Sequence, residues 1–419
     1  MNGLITLRIE AAVPQLRIEN FKKNVQCSIF NVQLFYIFAL MNYNNIQFED
    51  LGVTAEVASF EPKEGVTEWH VMLHVDGKQL PFKEQLRRLY EAEDRLPDMP
   101  EFWGSKYILK RYFLSDSTNQ QPLMRTEKNI SFSFIQQQPL DGSKIAAWLY
   151  LQSEVEVKEE KDVVVVSHNG YQHLWKMGMC YNQGDSAQQT EKLLTDYEQL
   201  LSKFNATLPE NCIRTWFFVR DVDTQYHGLV KARRENFIQQ GLTEKTHYIS
   251  STGIGGNPAD TKALVQLGTY AITGLEPDQQ HYLYAPTHLN PTYEYGVTFE
   301  RGTMVEYGDR DHIFISGTAS INNKGEVEHV GDIVLQTKRM WENVEALLKE
   351  GHSDFQDVMQ TIVYLRDTAD YEVVKSLFAE RFPNIPTVIT LAPVCRPTWL
   401  VEMECIAVKE SQNERFRKF

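Results

Sequence analysis

IFISGTASI, residues 313–321, joins an apolar, β-branched run to a Gly-Thr pair. Ile313, Phe314 and Ile315 have the character of a buried strand, and the pair after them marks a turn where backbone comes close to another group. Beyond it stand His329, Gly331, Asp332 and Gln336, then an amphipathic helix over 337–349 with Met340, Val344, Leu347 and Leu348 on its inner face. TIVYLRDTADY (361–371) supplies a further strand, 371–381 a second helix, and 388–391 and 400–408 two more strands. This is the order of a small α/β unit.

The order occurs twice more upstream. KYILKRYFLSD (106–116), RTWFFVRDVD (214–223) and QTIVYLRDTAD (360–370) fill one slot, each ending on an Asp that can cap the next turn or helix. KIAAWLYL (144–151), LVQLGTYA (264–271) and LVEMECIA (400–407) fill another. A period of about 110–130 residues is an internal repeat. The expected units are 41–155, 160–275 and 296–410, with a linker over 276–295 and a tail over 411–419. The first unit is the most diverged and has lost its second helix. Glu154–Asp162 reads as a charged break, Ser250–Gly256 as a glycine-rich turn, and Pro277–Tyr293 as irregular. Residues 1–40 read as an extension outside the folded domain, with packing onto the body as the alternative. The apolar run 28–41 is too short to cross a membrane and lacks a small-x-small cleavage site.

Taken together, IFISGTASI, the H-x-G-D of 329–332, TIVYLRDTADY and RPTWLVEMECIAV (396–408) resemble the Rid/YjgF family. That resemblance implies an α/β (α+β) fold of mixed sheets with helices on one face, in a family that forms homotrimers. Here it implies three Rid-like units in one chain, a pseudo-trimer whose sites lie in clefts between units. Within the superfamily, SGTASI followed by H-x-G-D looks like the chorismatases, which hydrolyse chorismate and release pyruvate.

Composition narrows the partners. The chain has 419 residues, 42% hydrophobic and 23% charged, as soluble globular proteins do. A net charge of −14 argues against a nucleic-acid partner, which would need a basic face, and weakly against anionic membranes. A small anionic metabolite would need arginines concentrated locally. The five cysteines are scattered and without CxxC spacing, which suits a reduced, cytoplasmic setting. No metal, nucleotide or flavin is expected, because no P-loop, Rossmann glycine pattern or metal-spaced His/Cys set is present. The expected assembly is a monomeric pseudo-trimer or a weak oligomer.

The repeat singles out one acid. Where the third unit has Glu402, the first has Ala146 and the second Gln266. Strand alternation puts Glu402 and Glu404 on one face, about 7 Å apart. Two such carboxylates could keep one protonated near neutrality, and a solvated strand face is the plain alternative. The resemblance puts the family's catalytic glutamate at Glu402, with Glu404 in support. It also brings in Tyr226, with Arg233 seven positions on, and TGIG (252–255), which are similar to segments that frame substrate in chorismatases. On a helix that spacing puts Tyr226 and Arg233 on one face; an exposed charged helix reads equally well. Gly253 and Gly255 could let backbone N–H groups approach an anion or simply make a turn. Arg301, in Phe299-Glu300-Arg301, and Arg396, in VCRP, resemble further chorismatase segments. Arg301 is the candidate for a substrate carboxylate, with a salt bridge to Glu300 or a neighbouring acid as its alternative. Arg396 is a ligand or a residue behind one. Cys395 has a cationic neighbour but no His partner, which argues against a nucleophile. His329 reads as solvated or structural rather than catalytic. The carboxylate-binding arginine of simple Rid deaminases has no counterpart at Thr387 or Val388.

The expected function is cleavage of the enol-pyruvyl ether of chorismate or a related carboxylic acid, with Glu402 as general acid and Arg233, Arg301 and Arg396 clamping two carboxylates. The alternatives are a Rid-type enamine or imine deaminase and a non-catalytic metabolite-binding protein.

Overall fold

The computed structural model describes residues 40–77 and 79–419. The extension read at 1–40 lies, save Leu40, outside them. The first sheet contains β1 (Leu40–Phe48), β2 (Val53–Glu61), β3 (Glu68–Val75), β4 (Lys106–Leu114), β5 (Ser131–Gln136) and β6 (Ile145–Gln152). The second contains β7 (Glu156–Glu160), β8 (Val163–His168), β9 (Tyr171–Cys180), β10 (Cys212–Val219), β11 (Ser250–Gly255) and β12 (Val265–Thr273). The third contains β13 (Gln280–Leu283), β14 (Gly302–Glu306), β15 (Arg310–Ala319), β16 (Val358–Leu365), β17 (Thr387–Leu391) and β18 (Val401–Glu410).

All three sheets have one strand order: β1-β2-β3-β6-β4-β5, β7-β8-β9-β12-β10-β11 and β13-β14-β15-β18-β16-β17. In each, a three-stranded meander meets the last strand, and a parallel pair completes the far side. The repeat is therefore a repeat of topology, as three Rid-like units require. Helices α1 (Phe82–Arg95), α2 (Ser186–Ser202) and α4 (Ile333–Glu350) follow the meanders; α3 (Val222–Gln239) and α5 (Tyr371–Arg381) cross over between parallel strands. In the first unit a single turn, Ser117–Gln120, capped by Asp116, stands where α3 and α5 stand in the others.

Three local expectations are corrected. SSTGIG is a strand, parallel to β10; its glycines answer to close packing rather than to a turn. The charged break holds β7, an edge strand whose Glu and Lys side chains face solvent and block further pairing. The irregular stretch after Pro277 includes β13, which pairs antiparallel with β14.

The parallel edges close on one another. Gln136 N–H donates to the Asn257 carbonyl (3.0 Å), Gly255 N–H to Pro393 (3.0 Å) and Leu391 N–H to Gln138 (2.8 Å). These bonds link first sheet to second, second to third and third to first, so no sheet offers this edge to another chain. Among the described residues no helix is long and apolar enough to cross a membrane.

Candidate active site

Glu402 lies in β18 between Ala319 of β15 and Tyr364 of β16. Alternating burial on a half-buried strand would expose every second residue, yet β18 is buried from Val401 to Val408 because the second unit packs on its other face. Glu402 therefore points into the junction between the second and third units and is only 3% exposed. A narrow cleft opens there, lined by Tyr226, Arg233, Ser251, Gly253, Arg301, Gly317, Cys395, Arg396 and Glu402 among others.

The cleft gathers six of the eight sequence-derived candidates: Glu402, Arg233, Arg301, Arg396, Tyr226 and Gly253. Tyr226 and Arg233 come from the buried face of α3, so the exposed-helix alternative is set aside. Arg233 donates to Ser251 Oγ (3.4 Å) and lies over the Phe217 and Phe299 rings. Arg301 donates through Nη2 to the Asn290 carbonyl (3.0 Å) and lies over Phe299. Glu300 accepts from the Tyr248 N–H (2.6 Å); burial raises its carboxyl, and that N–H and the Arg301 charge draw it back down in part.

Two candidates are elsewhere. Gly255 sits two residues further along β11, where the chain crosses Pro393; a Cβ would come within 2.8 Å of the Pro393 ring and carbonyl. Glu404 lies behind the cleft in a buried ion network. Its carboxylate accepts from Arg214 Nη2 (2.8 Å), Trp216 Nε1 (2.8 Å) and the Thr252 hydroxyl, and Arg111 Nη1 lies 3.6 Å away. His329 is exposed, and its carbonyl accepts from Gln336 Nε2 (3.2 Å).

Sequence reasoning did not single out Trp399, Val297, Ser251 or Ile321 as lining residues. Nothing in their spacing distinguishes them from core. Gly317 reads in the sequence as a turn with a close approach; the chain instead continues through it as β15, with a register shift between Ile315 and Thr318, and the close partner is Glu402 Oε1, into which a Cβ there would run.

Burial, first, and the Glu404 charge, second, push the Glu402 carboxyl up to about 8, against the pull of Arg214 and Arg301. At neutral pH the cleft thus presents a protonated carboxyl facing arginines from α3, the segment before β14 and the loop before β18. Burial pushes the Cys395 thiol up to about 12, which leaves it unfit as a nucleophile at pH 7. Among the described residues no group of three His, Cys, Asp or Glu side chains could hold a metal ion.

Residues 304–409 match the family model described as endoribonuclease L-PSP. A RutC family protein of Pyrococcus abyssi is 37% identical over 101 residues, covering 23% of this chain and 79% of that protein. A 3-hydroxybenzoate synthase of Streptomyces hygroscopicus is 25% identical over 272 residues, 59% of this chain and 77% of that one. A solved chorismatase structure superposes with a TM-score of 0.59 at 19% identity, covering 74% of this chain and 95% of that chain.

Proposed function

This chain belongs to the Rid/YjgF superfamily, in its chorismatase-like branch, and on that premise we propose that it cleaves the enol-pyruvyl ether of chorismate or a close relative and releases pyruvate. One observation carries the reading: a carboxyl held up to about 8 shares one cleft with Arg233, Arg301 and Arg396. A doubly carboxylated substrate needs cations at both ends. An enol ether needs a proton on carbon.

In this scheme Glu402 gives its proton to the terminal methylene carbon. The carbon–carbon double bond becomes a methyl group and an oxocarbenium ion at the adjacent carbon. The flanking carboxylate and the ionised Glu402 stabilise that cation among buried side chains, where charge interactions are stronger than in water. Water adds to the cationic carbon and returns a proton to Glu402, giving a hemiketal. The adduct collapses with cleavage of the ether bond, and the ring oxygen takes the proton as pyruvate departs. By analogy with the Streptomyces relative, a hydroxybenzoate is the ring product to look for, formed when the released ring diol loses a molecule of water and becomes aromatic.

The deaminase alternative has less support. In the Glu402 cleft, pseudo-symmetry moves the slot of the deaminases' carboxylate-binding arginine onto β11, since Trp216 pairs with Thr252 as Ile362 pairs with Val388. Ser251 and Thr252 occupy it. The test is a coupled pyruvate assay with chorismate, wild type beside Glu402→Gln. Pyruvate from the wild type alone supports the reading. Its absence from a folded wild type overturns it, and ammonia release from an imino acid then becomes the next measurement.

A further inference from the structure

The first unit lines no part of the Glu402 cleft, yet it places one side chain against the ion network behind it. Arg111, in β4, is fully buried. It stacks among Trp148, Trp216 and Phe218, with its guanidinium carbon 5.1, 4.8 and 5.2 Å from the ring centres. Its three guanidinium nitrogens donate no hydrogen bond among the described residues. Its nearest charge is Glu404 Oε1, at 3.6 Å. A buried arginine without hydrogen bonds is costly, and what offsets that cost here is the Glu404 carboxylate. Its charge is the property that an apolar replacement lacks.

That charge reaches the cleft through Glu404. Glu404 and Glu402 share one face of β18, two residues apart. The network also touches the cleft mechanically. Thr252 donates to Glu404 and accepts from the Gly317 N–H (3.0 Å), against which Glu402 packs. Arg214 donates to Ser316 Oγ (3.4 Å), which accepts from Ser251 N–H (2.9 Å), and Arg233 donates to the Ser251 hydroxyl.

We propose that Arg111 is a positioning residue for the Glu402 cleft: from behind Glu404 it sets the charge that the Glu402 carboxyl meets, so the diverged first unit takes part in chemistry to which it presents no side chain. The proposal rests on the reading of Glu402 as the acid. The groups facing Glu402 are Glu404 from its own strand, Arg214 from β10, Tyr364 from β16, Arg233 and Tyr226 from α3, Arg301 before β14, and Cys395 and Arg396 from the loop before β18. Removing the Arg111 charge leaves Glu404 less compensated, and Glu402 holds its proton to higher pH.

The experiment is an infrared titration of the protonated carboxyl band that disappears in Glu402→Gln, which needs no substrate. Arg111→Met, Arg111→Gln, Arg111→Lys, Glu404→Gln and the double variant R111M/E404Q are compared. The titration midpoint is expected to rise by about one pH unit in Arg111→Met and Arg111→Gln, and to stay at its wild-type position in Arg111→Lys. In the Glu404→Gln background, Arg111→Met is expected to move it no further. Where pyruvate is released, the basic limb of the kcat/KM profile follows the same shifts. An unmoved midpoint in a folded neutral variant overturns the proposal. So does an equal shift with and without Glu404. Failure of both neutral variants to fold also overturns it, because the charge is then a matter of stability alone. Absence of pyruvate with the infrared shifts present would sink the chorismate reading and leave the coupling standing.

Discussion

Replacing Glu402 by glutamine keeps the side chain's size, removes its proton, and bears on stability as well as on turnover. The carboxyl is held near 8 by burial and by Glu404, against 4.5 for an ordinary glutamate. Below the lower value, folded and unfolded chains both carry the proton and the shift costs nothing. As pH rises from there, the unfolded chain releases its proton while the folded chain keeps it. The folded state loses about 1.4 kcal/mol per pH unit relative to the unfolded one, until the folded group also ionises near 8. At pH 7 the penalty is on the order of 3 kcal/mol. Glutamine does not incur it. With an unfolding entropy of about 2 cal/mol/K per residue, the variant is expected to melt about 4 °C above wild type at pH 7 and level with it near pH 4.5. Pyruvate release is expected to fall by about 10²–10⁴-fold, the usual worth of a general acid. Thermal melts of both proteins at half-unit steps from pH 4.5 to 8 read the first effect, and the coupled assay reads the second. A difference in Tm that does not grow with pH would refute the reasoning about the carboxyl, whatever the assay showed.

Gly317→Ala puts a Cβ against Glu402 Oε1 and within 3.1 Å of Thr252 Cγ2; pyruvate release is expected to drop at least ~10²-fold with the melt little changed, and full activity would contradict the packing. Arg301→Lys exchanges a planar fork for a point charge, so KM for chorismate is expected to rise by about 10–100-fold with a smaller change in kcat, measured by steady-state kinetics. Arg310 of the third sheet donates to Glu68 of the first at 2.6 Å, both fully buried. Arg310→Met takes one charged partner from that carboxylate, which keeps Tyr150 (2.9 Å) and His312 (2.9 Å), and is expected to cost about 3 kcal/mol in a denaturant melt, with kcat at 25 °C unaffected.

Strand alternation and the recurrent slots carried the three-unit architecture, because each unit buries one sheet face in the same way. The edges escaped. β7 is Glu- and Lys-rich because it faces water, and no apolar period marks it. β11 was hidden by its glycines, which stand where Tyr226 and Pro393 approach the backbone. The side chains of the cleft were recoverable through motifs. The ion network behind it was not. Lys110 and Arg111 are adjacent in a strand, and alternation would place one of them in solvent. Both are buried, Lys110 against Glu93 (2.5 Å) and Arg111 toward Glu404. Only the packing of one unit on the next makes both faces of β4 interior, and a single chain's local pattern contains no record of that.

The same network explains what three units in one chain make possible. Register pairs Arg111 with Trp148, Trp216 with Gly268 and Ile362 with Glu404, so these three pairs occupy one pseudo-symmetric position. A homotrimer would have to place one pair there three times, and three buried arginines or three buried carboxylates facing one another would repel without compensation. Divergence within one chain lets an arginine, an indole N–H and a carboxylate meet instead. The clefts follow the same logic. At the junction of first and second units the acid's counterpart, Gln266, donates to the Phe134 carbonyl (3.3 Å). At the junction of third and first units the counterpart is Ala146, and its neighbour His74 stands where Ala319 lines the Glu402 cleft. Burial opposes a charge on His74, but Glu56 and Asp141, 3.7 and 3.6 Å away, hold the imidazole up to about 10 and so cationic. Glu56 also accepts from the Thr387 N–H of the third unit (2.8 Å). Two junctions are thus spent on adhesion, which leaves the third able to keep a buried, protonated carboxyl that costs the fold stability.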